Sequence, residues 1–195
     1  ARTSQGRCTF AIYEGTSDYG EIVICDGVNE PFLFQMTGTG GLITRTFFAK
    51  EITVSSTVGP AIAVIHDKHL VVAGDASSKN TVYYSGTNDI DSFSSTGSGS
   101  VVISDAVVGL ASFRSDLIIF CKNSIHKLSN INDSSNIAVT PITTNVGCLS
   151  HGSIQEIGGD ILFLAPDGVR TVAGTARIGD VELSSVSRQI QEILK

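Results

Sequence analysis

Gly158-Gly-Asp-Ile-Leu-Phe-Leu-Ala-Pro-Asp-Gly-Val-Arg170 reads as an apolar strand, a tight turn and the start of a second strand. Gly158-Gly159 and Asp167-Gly168 supply the positive φ angles that short hairpin loops demand. The same arrangement recurs upstream as Tyr19-Gly-Glu-Ile-Val-Ile-Cys-Asp-Gly-Val28, Asp67-Lys-His-Leu-Val-Val-Ala-Gly-Asp75 and Arg114-Ser-Asp-Leu-Ile-Ile-Phe-Cys-Lys-Asn-Ser-Ile125. Each apolar strand opens on a polar residue, Glu21, His69, Asp116 or Asp160, so the copies lie 48, 47 and 44 residues apart. A repeat of that length built from strands and turns is a propeller blade.

Working outward from these middle strands, the remaining apolar runs fall where four-stranded blades need them. Blade one takes Thr9–Tyr13, Glu21–Cys25, Phe32–Met36 and Leu42–Phe48, with a turn at Asp26-Gly27; blade two takes Ala61–His66, His69–Ala73, Thr81–Ser85 and Val101–Ser104. Blade three takes Val107–Phe113, Asp116–Cys121, Ser124–Leu128 and Ile137–Ile142; blade four takes Ser153–Ile157, Asp160–Ala165, Gly168–Ala173 and Val181–Leu183. The expected fold is therefore all-β, a propeller-like domain or fragment over 1–195 with blades at 9–48, 61–104, 107–142 and 152–183. The near-continuous apolar middle strands are those expected between neighbouring blades. Ser94–Ser100 and Leu128–Asn136 are polar enough to predict exposed loops. Val186, Ile190, Ile193 and Leu194 recur at helical spacing behind Ser185, predicting a short helix over 185–195. A start without Met and an end inside that helix suggest a piece of a longer polypeptide. Four blades form a small closed ring, an arc of a larger ring, or a part completed by other chains.

Composition narrows the function. Of 195 residues, 42% are hydrophobic and 16% charged, enough for one sizeable core and too mixed for disorder. Twenty glycines with no Trp and one Met suit short strands and tight turns rather than helices. The net charge of -6 is spread evenly, with 6 basic and 10 acidic residues in 1–100 and 7 and 9 in 101–195. No basic face arises, which disfavours sequence-specific binding to a phosphate backbone. No apolar run approaches the roughly 18 residues of a membrane-spanning helix. Cys8, Cys25, Cys121 and Cys148 never come close to C-x-x-C spacing, so buried reduced thiols are expected rather than a disulfide or a metal site.

Candidate chemical groups are few. His66 and His69 lie three apart, but on a hairpin turn, which predicts exposed turn histidines rather than a metal pair. His126 and His151 stand alone, as strand or loop residues. Asn88, Asp89 and Asp91 lack the twelve-residue frame of a calcium loop and suit a turn cap. Thr37-Gly-Thr-Gly-Gly-Leu-Ile43 is followed by a strand and offers no helix N-terminus to a phosphate. Asp116 and Asp160 are the only pair whose equivalent blade positions make a glycosidase pair conceivable, and they fit better as turn residues. Ser112 and Ser150 lack a nucleophile-elbow context. No catalytic, cofactor-binding or metal residue is nominated, and an enzyme is not expected.

Thr81-Val-Tyr-Tyr-Ser-Gly86 with Asp91-Ser-Phe93, Gly109-Leu-Ala-Ser-Phe-Arg-Ser-Asp-Leu-Ile-Ile-Phe120 with Ser124-Ile-His-Lys-Leu128, and Val146-Gly-Cys148 occur in that order. Ser153-Ile-Gln-Glu-Ile-Gly-Gly-Asp-Ile-Leu-Phe-Leu-Ala-Pro-Asp-Gly-Val-Arg170, Ile178-Gly-Asp-Val181 and Ser187-Arg-Gln-Ile190 follow. Together they resemble the propeller of tailed-bacteriophage nozzle proteins, also called tail tubular protein B, over roughly residues 20 to 192. The resemblance implies a structural protein of the virion tail or neck, assembled in the host cytoplasm. It implies self-association in a ring, usually of six copies, beside portal, adaptor and other tail proteins, with genomic DNA passing through the lumen during ejection. It implies no catalytic residue and no cofactor. Members of that family are usually much longer than this chain. An even acidic balance suits a conduit wall that lets DNA slide. The alternatives are a carbohydrate- or receptor-binding tail propeller and, more distantly, a propeller glycosidase or lyase. The lack of Trp, and Tyr83 and Tyr84 facing opposite sides of one strand, argue against the sugar binder.

Overall fold

The computed structural model describes residues 8–15, 20–37, 46–55 and 59–173. Fifteen strands in these residues form four antiparallel sheets, each in simple sequence order. Blade one is β1 (Thr9–Tyr13), β2 (Glu21–Cys25), β3 (Phe32–Thr37) and β4 (Thr46–Glu51); blade two is β5 (Ile62–His66), β6 (His69–Ala73), β7 (Thr81–Tyr84) and β8 (Gly99–Val102). Blade three is β9 (Val107–Phe113), β10 (Asp116–Cys121), β11 (Ile125–Ser129) and β12 (Ala138–Thr143). Blade four is β13 (Gln155–Ile157), β14 (Asp160–Ala165) and β15 (Gly168–Thr171), preceded by a single 3-10 turn at His151–Ser153. The chain is thus an all-β protein of propeller-like blades. The expected fourth strand at Val181–Leu183 and the helix over 185–195 lie outside the described residues, as does most of the Gly-rich stretch after Thr37.

The double-sided apolar middle strands tie the sheets together. In β6, Leu70 and Val72 enter the core shared with blade one, whereas Val71 and Ala73 enter the core shared with blade three. In β10, Leu117, Ile119 and Cys121 face blade two, and Ile118 and Phe120 face blade four. The Phe120 and Phe163 rings meet at 5.3 Å in that last core. Removing a fully buried Phe side chain from such a layer costs about 3–5 kcal/mol. Three buried clusters therefore join blades one to two, two to three, and three to four; among the described residues none joins four to one. Tyr83 and Tyr84 do face opposite cores, as their alternation predicts.

Several boundaries differ from the sequence reading, each for a local reason. The last strand of blade one runs on to Glu51, its expected start at Leu42 lying outside the described residues, and that of blade two is Gly99–Val102, because register with β3 and β7 selects those residues. Gly99 and Ser100 are accordingly strand, not loop, and the Ser98 hydroxyl donates to the Ser95 carbonyl at 2.7 Å. Asp26-Gly27 does not close a two-residue hairpin: six residues separate β2 from β3, and the Asp26 carboxylate organises them by accepting from the Val28 and Asn29 amides at 3.0 and 2.8 Å. Gly27, at φ +77°, donates its amide to the Pro60 carbonyl and so links blade one to the approach to blade two. In blade four, Ala165 pairs with Gly168, which makes Pro166 and Asp167 the loop and leaves Gly168, at φ +130°, opening β15. All four cysteines are free thiols; Cys25, Cys121 and Cys148 are buried and Cys8 is half-buried. Burial pushes the Cys121 thiol up to about 12.

Candidate functional site

The first strands of the blades sit side by side, β1 against β5 and β5 against β9, with the 3-10 turn at His151–Ser153 against β9. Their starting residues converge on a cavity of about 570 Å³, lined by Cys8 to Phe10, Ala61 and Ile62, Val107 and Val108, and Ser150 to Gly152 with Gln155. All four blades thus contribute to one mouth, where propellers and barrels hold small ligands. The Thr9 hydroxyl donates to the Ala61 carbonyl at 2.9 Å and fixes the gap between blades one and two. No Asp, Glu, Lys or Arg among the described residues lines the cavity.

The opposite ends of the same strands carry a buried polar layer. His66 ends β5 and lies 2.8 Å, through Nδ1, from Ser112 Oγ near the end of β9. Burial lowers the affinity of His66 for a proton; Asp67 and Asp116 oppose that and His69 adds to it. His69, paired across the hairpin with His66, is 0% exposed. Its Nδ1 lies 2.6 Å from the Ser85 carbonyl, an acceptor only, so that nitrogen carries a proton. Its Nε2 lies 2.9 Å from Asn132 Oδ1 and 3.3 Å from Thr87 Oγ1. Asn132 in turn donates to the Asp67 side chain and accepts from Thr87 at 2.9 Å.

These contacts overturn one expectation and qualify another. His66 and His69 are not exposed turn residues: at 2% and 0% exposure they are the polar end of the core. Only Asp67 and Lys68 occupy the turn, at φ +45° and +69°. The segment Leu128–Asn136 is exposed at Asn130 and from Asn132 to Asn136, as expected of a polar loop, but it is anchored. Leu128 and Ile131 are buried, and Asn132 reaches across to blade two. Sequence reasoning missed Asn132 because its partners lie 45 to 65 positions away, on another blade.

The other nominated residues do not converge. Asp116 accepts from Ser129 at 2.6 Å and pairs with Lys127 at 3.4 Å within blade three. Asp160 accepts from the Ile161 and Ala173 amides at 2.8 and 3.0 Å within blade four. Each carboxylate closes its own sheet end. Asn88, at φ +57°, and Asp89 shape a turn, while Asp91 pairs with Lys50, which holds its carboxyl below the usual range. His126 lies in β11, its Nε2 3.0 Å from Ser124 Oγ, and His151 belongs to the cavity-lining turn. Among the described residues no three His, Cys, Asp or Glu side chains are grouped to hold a metal ion. Arg170 is buried beside Phe163 and is neutralised by a two-pronged pair with Asp167, whose carboxyl it holds below the usual range.

No protein-family model matches the chain, and no curated protein sequence matches it. No helix among the described residues is long and apolar enough to cross a membrane.

Proposed function

We propose that this chain is a structural module of a tailed-phage tail or neck, a rigid blade array that joins copies of itself into a ring around the path of the genome. The reading rests on the resemblance carried by the ordered blade motifs. The observation that best supports it is the apolar face of blade one that no described residue covers. Phe10 and Ile12 of β1 are 63% and 65% exposed on the side away from blade two, and Ile12 stands directly opposite Ile22 of β2. β2 has the same double-sided apolar pattern as β6 and β10, whose two faces are both buried between blades. A sheet face built to that pattern suits burial against a further subunit.

Cryo-electron microscopy or native mass spectrometry of the intact particle carrying this chain tests the proposal. A closed ring of copies around a channel is expected. A single copy, or trimers at the particle's periphery, would replace this reading with a receptor-binding role.

A further inference from the structure

We infer that the outer face of blade one docks on the outer face of blade four of a second copy of this chain, head to tail. The inference rests on the ring-forming reading above and names the surface that completes its contact.

The blade order has a direction. Each buried layer joins the following face of one blade to the preceding face of the next. Blade one offers Val23 and Cys25 to Leu70 and Val72 of blade two, which in turn offers Val71 and Ala73 to Leu117 and Ile119 of blade three. Blade three offers Ile118 and Phe120 to Ile161 and Phe163 of blade four. Two faces remain at the ends of that series. Residues opposite each other on paired strands share a face, so the preceding face of blade one carries Phe10 with Ile24 and Ile12 with Ile22. By the same rule the following face of blade four carries Leu162 with Gln155, Leu164 with Val169, and Ile157 with Asp160. Among the described residues no buried cluster joins these two faces within one chain.

The two faces match in chemistry. Ile157 is 58% exposed, and Leu162, Leu164 and Val169 are half-buried. The β1 and β2 residues on the outer face of blade one include no charged side chain. On the described strands of blade four Asp160 is the only one facing outward, and its carboxylate is held at the sheet end by the Ile161 and Ala173 amides. A junction of these faces buries no unpaired charge at its centre and repeats the apolar layering found between blades. Two copies meeting through blade one alone would set preceding face against preceding face, a pairing that none of the three layers uses. A head-to-tail contact also leaves one free face on every copy, so it propagates and closes into a ring where the rotation permits.

The test is sedimentation velocity on the parent, on Ile12→Lys, on Ile157→Lys and on an equimolar mixture of the two variants, each over a concentration series. Both side chains are exposed, so melting temperatures should not change. Each variant alone should lose at least about 100-fold in self-association. The mixture should form a one-to-one pair at the parent's affinity and stop there, because Ile12→Lys keeps its blade-four face and Ile157→Lys keeps its blade-one face. That pair would also show both variants to be folded. Parent-like association of Ile157→Lys would overturn the blade-four partner and leave a ring contact through blade one standing. A mixture no more associated than its components would overturn it in the same way. A parent that stays monomeric up to about 0.5 mM would overturn the junction itself, while the particle's own symmetry would still decide the ring reading.

Discussion

His66 shows how much a single position depends on its neighbours in space. Its imidazole is buried against Ser112, and burial holds its pKa below the ordinary value of 6.5. As pH falls through 6.5 the unfolded chain takes up a proton at this position while the folded chain does not, so stability falls in that window and is undiminished above it. Urea midpoints at about pH 7.5 and about pH 5.5 should therefore differ in the parent and differ less in His66→Gln. An equal loss in both chains would remove His66 from the account. Asn132 is the counterpart on blade three. Asn132→Ala deletes the amide that spans His69, Thr87 and Asp67, and the loss should cost about 1–3 kcal/mol, visible as a lower urea midpoint. A midpoint unchanged within error would mean that water replaces the amide at no cost. Neither histidine's burial was legible in the sequence. His66-Asp67-Lys68-His69 is polar throughout, and what covers it comes from Ser112 and Asn132, more than 40 positions downstream.

At the scale of strands and turns the sequence was far more informative, because alternation and turn chemistry act over a few residues. β1, β2, β6, β9, β10 and β14 begin and end where the apolar runs do. The last strands of blades one, two and three end three, two and one residues away from their expected ends, since an edge strand is placed by its partner's register and its own sequence alternates weakly. Turns divide into those with glycine and those without. Gly168 sits at φ +130°, a conformation closed to a β-branched residue. Gly168→Val should destabilise the chain by about 1–3 kcal/mol, and an unchanged thermal midpoint would contradict the β14–β15 register. Lys68 illustrates the converse, holding φ +69° with a side chain. Left-handed backbone costs a non-glycine residue about 1–2 kcal/mol, and glycine returns part of that through its flexible unfolded state. Lys68→Gly should thus stabilise by about 0.5–1 kcal/mol, raising the urea midpoint. A lower midpoint would show that the Lys68 side chain contributes more than its backbone costs.

For the whole molecule the decisive asymmetry is between covered and uncovered sheet faces. Blades two and three bury both faces of their middle strands, while blade one buries Val23 and Cys25 and leaves Ile22 37% exposed beside Ile12. Such a face is stable in water only at the cost of ordering solvent over several large side chains, and covering it is the drive for association. Ile12→Lys isolates that drive. The side chain is exposed in the single chain, so folding should change by less than about 0.5 kcal/mol. Placed at a subunit contact, however, the ammonium must lose its hydration against Phe10 and Ile22, with no carboxylate on β1 or β2 other than Glu21 to receive it. The dissociation constant for self-association should rise at least about 100-fold, equivalent to about 2.7 kcal/mol. Sedimentation velocity across a concentration series reads both quantities, since a folded monomer and a misfolded aggregate sediment differently. If Ile12→Lys associates as the parent does, blade one does not form the contact, and the outer face of blade four, where Ile157 is 58% exposed, becomes the surface to alter next.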